Sequence, residues 1–179
     1  MSDKKEQRKI IKSRLASLST EEKRLFSERI ADKLLTHPLF SAAEKVFLYR
    51  STEDEADTRS IEKAALEQEK KLYYPRIEGE DMFLVRYEKG TKMMKNGYGI
   101  EEPIGEPYRG QVDLAVIPLL GFDRRRTRLG RGKGYYDRYL SAFSGKSIAL
   151  AFSVQELPSV VRDERDVAPN VILTEREEI

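Results

Sequence analysis

The sequence predicts a three-layer α/β fold, a mainly parallel sheet with helices on both faces, in a single domain. Three observations carry this. Short apolar runs suited to strands alternate with segments of helical periodicity, the pattern of strands joined by crossover helices. One run, Val112 to Leu120, is apolar almost throughout, as a strand buried on both faces requires. At 179 residues the chain is most simply one domain, residues 1–179, with N-terminal helices at about 3–37. A chain of that length buries roughly 70% of the surface its unfolded form exposes.

In order, residues 3–17 form a basic helix with Ile11, Leu15 and Leu18 on one face. Ser19 with Glu22 makes a capping box that opens a second helix. Its stripe is Phe26, Ile30 and Leu34, and it should stop near His37-Pro38. His37 is expected at that helix end, partly exposed. Lys45–Tyr49 is a strand, followed by a polar, acidic stretch from Arg50 to Asp57. Thr58–Glu69 is a helix, and Lys71–Tyr74 a strand that Pro75 should stop. After a turn at residues 78–81, Met82–Tyr87 is a strand. Residues 88–111 hold five glycines and two prolines and should be mostly loop. Gly134–Phe143 is a helix, and Ser147–Phe152 and Val171–Thr174 are the last strands. Ligands of such sheets collect at the carboxyl ends of strands, so the segments after Tyr49, Tyr74, Leu120 and Phe152 should meet in one cleft.

Composition narrows the chemistry. There is no cysteine and one histidine, which excludes disulfides, thiolate nucleophiles and Cys-based zinc sites, and argues against a His-rich metal centre. Charged residues make up 36% and no apolar run approaches a membrane span, so a soluble, cytoplasmic protein without membrane partners is expected. The N-terminal segment lacks the apolar core of a secretory signal.

Charge gathers in Gly121–Leu140, where seven basic residues face two acidic ones, a net of +5 in a chain of +2. Gly130, Gly132 and Gly134 alternate there with Arg131 and Lys133, between a strand and a helix. Such glycines let main-chain N–H groups approach an anion closely. The spacing is neither a Walker A loop, since Lys133 precedes Gly134, nor a dinucleotide fingerprint, whose third glycine would fall at Asp137. A glycine-rich surface turn with solvated arginines has the same composition. A nucleic-acid module on Arg124–Arg138 with interleaved tyrosines is the competing class, though +5 is a small electrostatic footprint.

The stretch Arg128-Leu129-Gly130-Arg131-Gly132-Lys133-Gly134-Tyr135-Tyr136-Asp137, after Pro118-Leu119-Leu120-Gly121-Phe122-Asp123, resembles the signature of the 5-formyltetrahydrofolate cyclo-ligases, also called 5,10-methenyltetrahydrofolate synthetases. The resemblance implies an ATP- and Mg2+-dependent closure of 5-formyltetrahydrofolate to 5,10-methenyltetrahydrofolate by a monomer acting on these two small molecules, with no nucleic-acid partner. It implies ATP contacts from Lys4 and Arg8 on the first helix. Gly130, Gly132 and Gly134 would be the phosphate cradle, with Arg128, Arg131 and Lys133 as its cations. Tyr135 and Tyr136 would pack on nucleotide or folate, or in the core. Arg131, Lys133 and Tyr135 are the expected catalytic residues. Arg50 and Glu55 match the family's folate strip, and Glu102, in Gly97–Pro103, its substrate-side acid. Arg131 and Tyr135 would touch substrate too. Arg76, after Pro75, would hold a phosphate or a carboxylate. Asp137 and Asp166 are the magnesium candidates. Arg165 and Asn170 depart from residues common in the family. A sugar-phosphate isomerase or CoA-transferase-like protein would share the architecture, without the Lys4 and Arg8 pair or a magnesium site.

Overall fold

The computed structural model describes residues 3–179. The first helices are α1 (Lys4–Ala16) and α2 (Thr20–Leu35). Asp3 caps α1 by accepting the Glu6 N–H, and Ser19 and Glu22 close the expected box on α2. His37 follows α2, but its ring Nδ1 accepts the Leu39 N–H and opens a further short helix, α3 (Pro38–Ala42). Then come β1 (Lys45–Leu48), α4 (Arg59–Glu67), β2 (Lys71–Glu78) and β3 (Asp81–Tyr87). Next are β4 (Met93–Lys95), β5 (Glu101–Pro103), β6 (Pro107–Tyr108), β7 (Leu114–Pro118), β8 (Gly121–Phe122) and β9 (Arg128–Leu129). The chain ends with α5 (Tyr135–Ser141), β10 (Lys146–Leu150) and β11 (Val171–Leu173). Among the described residues no helix is long and apolar enough to cross a membrane.

The central sheet has seven strands in the order β11-β10-β7-β1-β2-β3-β6. The first five are parallel, and β3 and β6 add an antiparallel edge. Alternation along each strand sends side chains to two cores. Val46, Leu48, Leu114, Val116, Ile148 and Leu150 meet α1 to α4 on one face. Phe47, Ala115, Ile117 and Ala149 meet Leu140 of α5 on the other. Both faces are covered, as expected, but unevenly: among the described residues four helices lie on one side and a single seven-residue helix on the other.

Pro75 does not stop its strand. β2 continues to Glu78, with Pro75 opposite Leu84 of β3. The two-residue turn Gly79-Glu80 makes Glu78–Asp81 a hydrogen-bonded pair, and pairs alternate from there, so Pro75 falls at a non-bonded position. Its missing N–H faces away from β3, toward the side where β1 has already ended. Ile77, in the same phase, points its N–H that way and finds the Glu102 carboxylate at 3.1 Å. The stretch 88–111 is mostly loop, yet it contains the β4–β5 antiparallel pair and β6. Asn96 organises the turn between β4 and β5, its amide oxygen accepting the N–H groups of Tyr98 and Ile100.

Candidate functional site

A cleft of about 1040 Å3 opens at the carboxyl ends of β1 and β7. That is at the upper end of the ~300–1,000 Å3 usual for one ligand. The segments after β1 and β7 reach it, as predicted. The segment directly after β10 does not: it turns through Ser153–Gln155 against α1, and the chain enters the cleft only at Asp163–Val167.

One half, the loop half, is built on residues 128–137. β8 and β9 form a hairpin that delivers the chain into the glycines, and Asp123 braces it from inside. The Asp123 carboxylate is almost wholly buried and accepts the N–H groups of Arg125, Thr127 and Val160 at 2.9–3.0 Å. Burial opposes ionisation, but these bonds outweigh it and hold the carboxyl below its ordinary value. Gly132 and Gly134 take φ of +105° and +72°, which side chains rarely adopt, and Gly134 opens α5. The main-chain N–H groups of residues 131–134 have no acceptor among the described residues. They are therefore unbonded along the stretch where the glycines alternate.

Arg128 lies beneath this loop. Its side chain is 4% exposed and its Nη2 meets Asp137 Oδ1 at 2.7 Å. A β-carbon at Gly130 would lie 3.2 Å from the same guanidinium. So Arg128 ties β9 to α5 across the loop, a role its place in a basic run did not suggest. Arg131 and Lys133 are exposed on the rim. Tyr136 stacks on Phe47 at 6.0 Å, a core position, and burial raises its phenol well above the usual value. Tyr135 lies at the cleft, its hydroxyl donating to Gly79 O at 2.8 Å.

α1 crosses this half. Lys4 and Arg8 share one helical face, and both line the cleft. Lys4 Nζ sits 2.6 Å from Asp166 and 2.8 Å from Asp163. Arg8 Nε donates to Gly130 O at 2.8 Å. The two magnesium candidates are neighbours here: the Val167 N–H, next to Asp166, donates to Asp137 Oδ1 at 3.2 Å. Each already faces a cation, Lys4 or Arg128. No cluster of three or more His, Asp or Glu side chains able to hold a metal occurs among the described residues. This donor set suits a cation that arrives with phosphate oxygens and takes one or two protein carboxylates, as Mg2+ does. It does not suit a metal ligated wholly by protein.

The other half, the hairpin half, is walled by the β1–α4 loop, β2 and the β4–β5 hairpin. Glu55 accepts the Thr52 N–H at 2.9 Å and meets Arg131 at 3.1 Å, bridging the two halves. Glu102 is buried; its Oε1 accepts from Ile77 N and from the Asn96 amide at 2.7 Å, fastening the hairpin to β2. Arg50 lines the cleft, paired at 2.8 Å with Glu62 of α4. Arg76 does not reach the cleft: it pairs with Glu78, donates to Gly105 O and covers Phe83, because it lies on the opposite side of β2 from Pro75 and Ile77.

Reasoning from sequence missed Asp163, Asn96, Glu62 and the bracing role of Asp123. Asp163 carried a signal in the charged run Asp163–Asp166, and Asn96 in the turn dipeptide Asn96-Gly97. The basic stretch is also less free than its composition implies. Arg124 pairs with Glu156 and Glu177, and Arg138 donates to Glu80 O and Lys133 O.

Comparison with known proteins is consistent across methods. The profile of the "5-formyltetrahydrofolate cyclo-ligase family" matches residues 1–175. A mouse protein named 5-formyltetrahydrofolate cyclo-ligase is 32% identical over 182 residues, covering 92% of this chain and 90% of its own. An NMR structure of 5,10-methenyltetrahydrofolate synthetase from Aquifex aeolicus superposes with a TM-score of 0.86 at 35% identity, over 98% of this chain and 91% of that one. The synthetase structure from Mycoplasma pneumoniae gives 0.76 at 25% identity, over 97% and 99%. Matched by the family model over residues 1–175 and 32% identical to the mouse protein, the chain belongs to the 5-formyltetrahydrofolate cyclo-ligase family.

Proposed function

We propose that this chain closes 5-formyltetrahydrofolate to 5,10-methenyltetrahydrofolate at the expense of ATP, releasing ADP and phosphate. The observation that carries the reading is the pairing of halves in one cleft. One half offers unbonded N–H groups and cations, and the other offers buried acids. ATP phosphates belong against residues 130–134, with Lys4, Arg8, Arg131 and Lys133 around them. The pterin ring, whose edge is rich in N–H donors, belongs against Glu55, which accepts in pairs. Glu102 keeps Oε2 for a substrate donor while Oε1 holds the hairpin.

A formamide oxygen is a poor leaving group. Transfer of the γ-phosphoryl group forms an O–P bond to that oxygen and breaks the bond to ADP. The N10 lone pair then attacks the formyl carbon, the C–O bond breaks, phosphate leaves and the N10 proton is lost to solvent. These steps need alignment and charge neutralisation more than a protein nucleophile. Arg131 and Lys133, on the rim, would neutralise the transferring group, and Tyr135 would close over it from α5. Bound Mg2+ would neutralise the triphosphate, held from the protein side by Asp137 and Asp166. Arg128, buried under Gly130, acts in this reading by shaping the loop.

The test is to follow ADP release and methenyltetrahydrofolate absorbance together. Equal rates of both are expected with 5-formyltetrahydrofolate. ADP release that ignores the folate would overturn the reading.

A further inference from the structure

Two buried side-chain nitrogens have no hydrogen-bond partner among the described residues: Nε of Arg128 and Nε of Arg50. Both arginines line the cleft, one in each half. An orphaned buried donor is unfavourable and rare, so a guanidinium held that way is being placed by its other partners. For Arg50 those partners are well defined. Its guanidinium lies over the Tyr74 ring at 4.4 Å and the Tyr87 ring at 5.1 Å. Its Nη1 meets Glu62 Oε2 at 2.8 Å. The same carboxylate accepts the Tyr74 hydroxyl on Oε2 and the Tyr87 hydroxyl on Oε1, the latter at 3.1 Å. Glu62 itself is no part of the cleft wall. A fully engaged carboxylate on α4, two strands' worth of tyrosine and one arginine thus converge on a single orientation.

We propose that Glu62 is a positioning residue for the hairpin half, fixing the Arg50 guanidinium as a hydrogen-bond donor that determines affinity for the folate. The inference rests on the proposed function. Glu55 presents acceptors and Arg50 presents donors to the same half. A pteridine edge, with N–H groups beside a carbonyl oxygen, uses both. A mobile Arg50 would pay for its immobilisation at each binding event; a clamped one does not.

The experiment is a set of KM values for both substrates in Glu62→Gln, Arg50→Met and the double variant, with Tyr87→Phe as a variant that loses one hydroxyl only. Glu62→Gln should raise KM for 5-formyltetrahydrofolate about tenfold, as for part of a charge-assisted hydrogen bond, and leave KM for ATP unchanged. Tyr87→Phe should move the same constant in the same direction by a smaller factor. In the Arg50→Met background, Glu62→Gln should add almost nothing, since the two act as one unit. An unshifted folate KM, an equal shift for ATP, or additive effects in the double variant would overturn the positioning role while wild-type turnover upholds the function. Wild-type protein that fails to turn over 5-formyltetrahydrofolate at all would overturn both.

Discussion

The loop half of the cleft is centred on ten consecutive residues, Arg128 to Asp137, with Lys4, Arg8 and Asp163–Val167 around them, whereas the hairpin half is assembled from the β1–α4 loop, β2, β4 and β5. In the first, a charged pair of low exposure spans the loop it stabilises, and free N–H groups line the surface. In the second, Glu102 and Glu62 spend much of their hydrogen-bonding capacity holding other segments in place. The loop half is therefore specified locally and the hairpin half by tertiary contacts. Damage should follow that division: changes in the loop half should affect nucleotide binding and turnover, and changes in the hairpin half should affect folate affinity.

The largest expected effect lies on the loop rim. Lys133→Met should keep the melting temperature and ATP affinity near wild type. It should lower turnover about 30- to 1000-fold, the worth of ~2–4 kcal/mol of charge stabilisation in the transition state. Gly132→Ala should act differently, because alanine at φ +105° strains the backbone even though its β-carbon finds only ordinary contact with Arg8, 3.4 Å away. ATP affinity by calorimetry should fall first in that variant. If both variants bind and turn over normally, the loop is no phosphate cradle.

Next comes the pair beneath the loop. Asp137→Asn leaves Arg128, 4% exposed, without a charged partner. Its cost should be about 2–3 kcal/mol in denaturant unfolding, below the ~3–5 of a fully buried pair because Asp137 is 17% exposed. Asp166→Asn, facing the less buried Lys4, should lower activity and magnesium response with little loss of stability. Equal stability losses in the two variants would erase the distinction between them.

In the hairpin half, Glu102→Ala strands the Ile77 N–H and the Asn96 amide. About 1–3 kcal/mol of stability should go, with a raised KM for folate and none for ATP. Faster hydrogen exchange should be confined to residues 93–103 and the Ile77 amide.

The smallest effect is electrostatic. The Asp123 carboxyl is depressed in the folded chain, so its contribution is present above the unfolded pKa near 4 and is lost as pH falls through the lower folded value. Asp123→Asn should flatten the acid limb of a melting-temperature profile below about pH 4. An unchanged limb would assign acid sensitivity to other carboxylates.

This division also explains what could be seen in advance. Alternating apolar strands, the Ser19–Glu22 box and the alternating glycines are local patterns, and each appears in the structure where the sequence puts it. Pro75 misled because its effect depends on hydrogen-bond phase, set by the Gly79-Glu80 turn and by where β1 stops. The β4–β5 pair was hidden because three-residue strands carry too little periodicity beside so many glycines. The contacts that bring Glu62, Tyr74 and Tyr87 onto Arg50 are long-range matters. No spacing along the chain encodes them.

The central claim is that one cleft joins a nucleotide half to a folate half. It is tested most directly by the absorbance of methenyltetrahydrofolate in four mixtures: complete, without ATP, without Mg2+, and without both. Product formation in the complete mixture alone is predicted. Turnover without nucleotide would contradict the account, because the free N–H groups of the glycine loop and the cations around them would then have no part in the reaction.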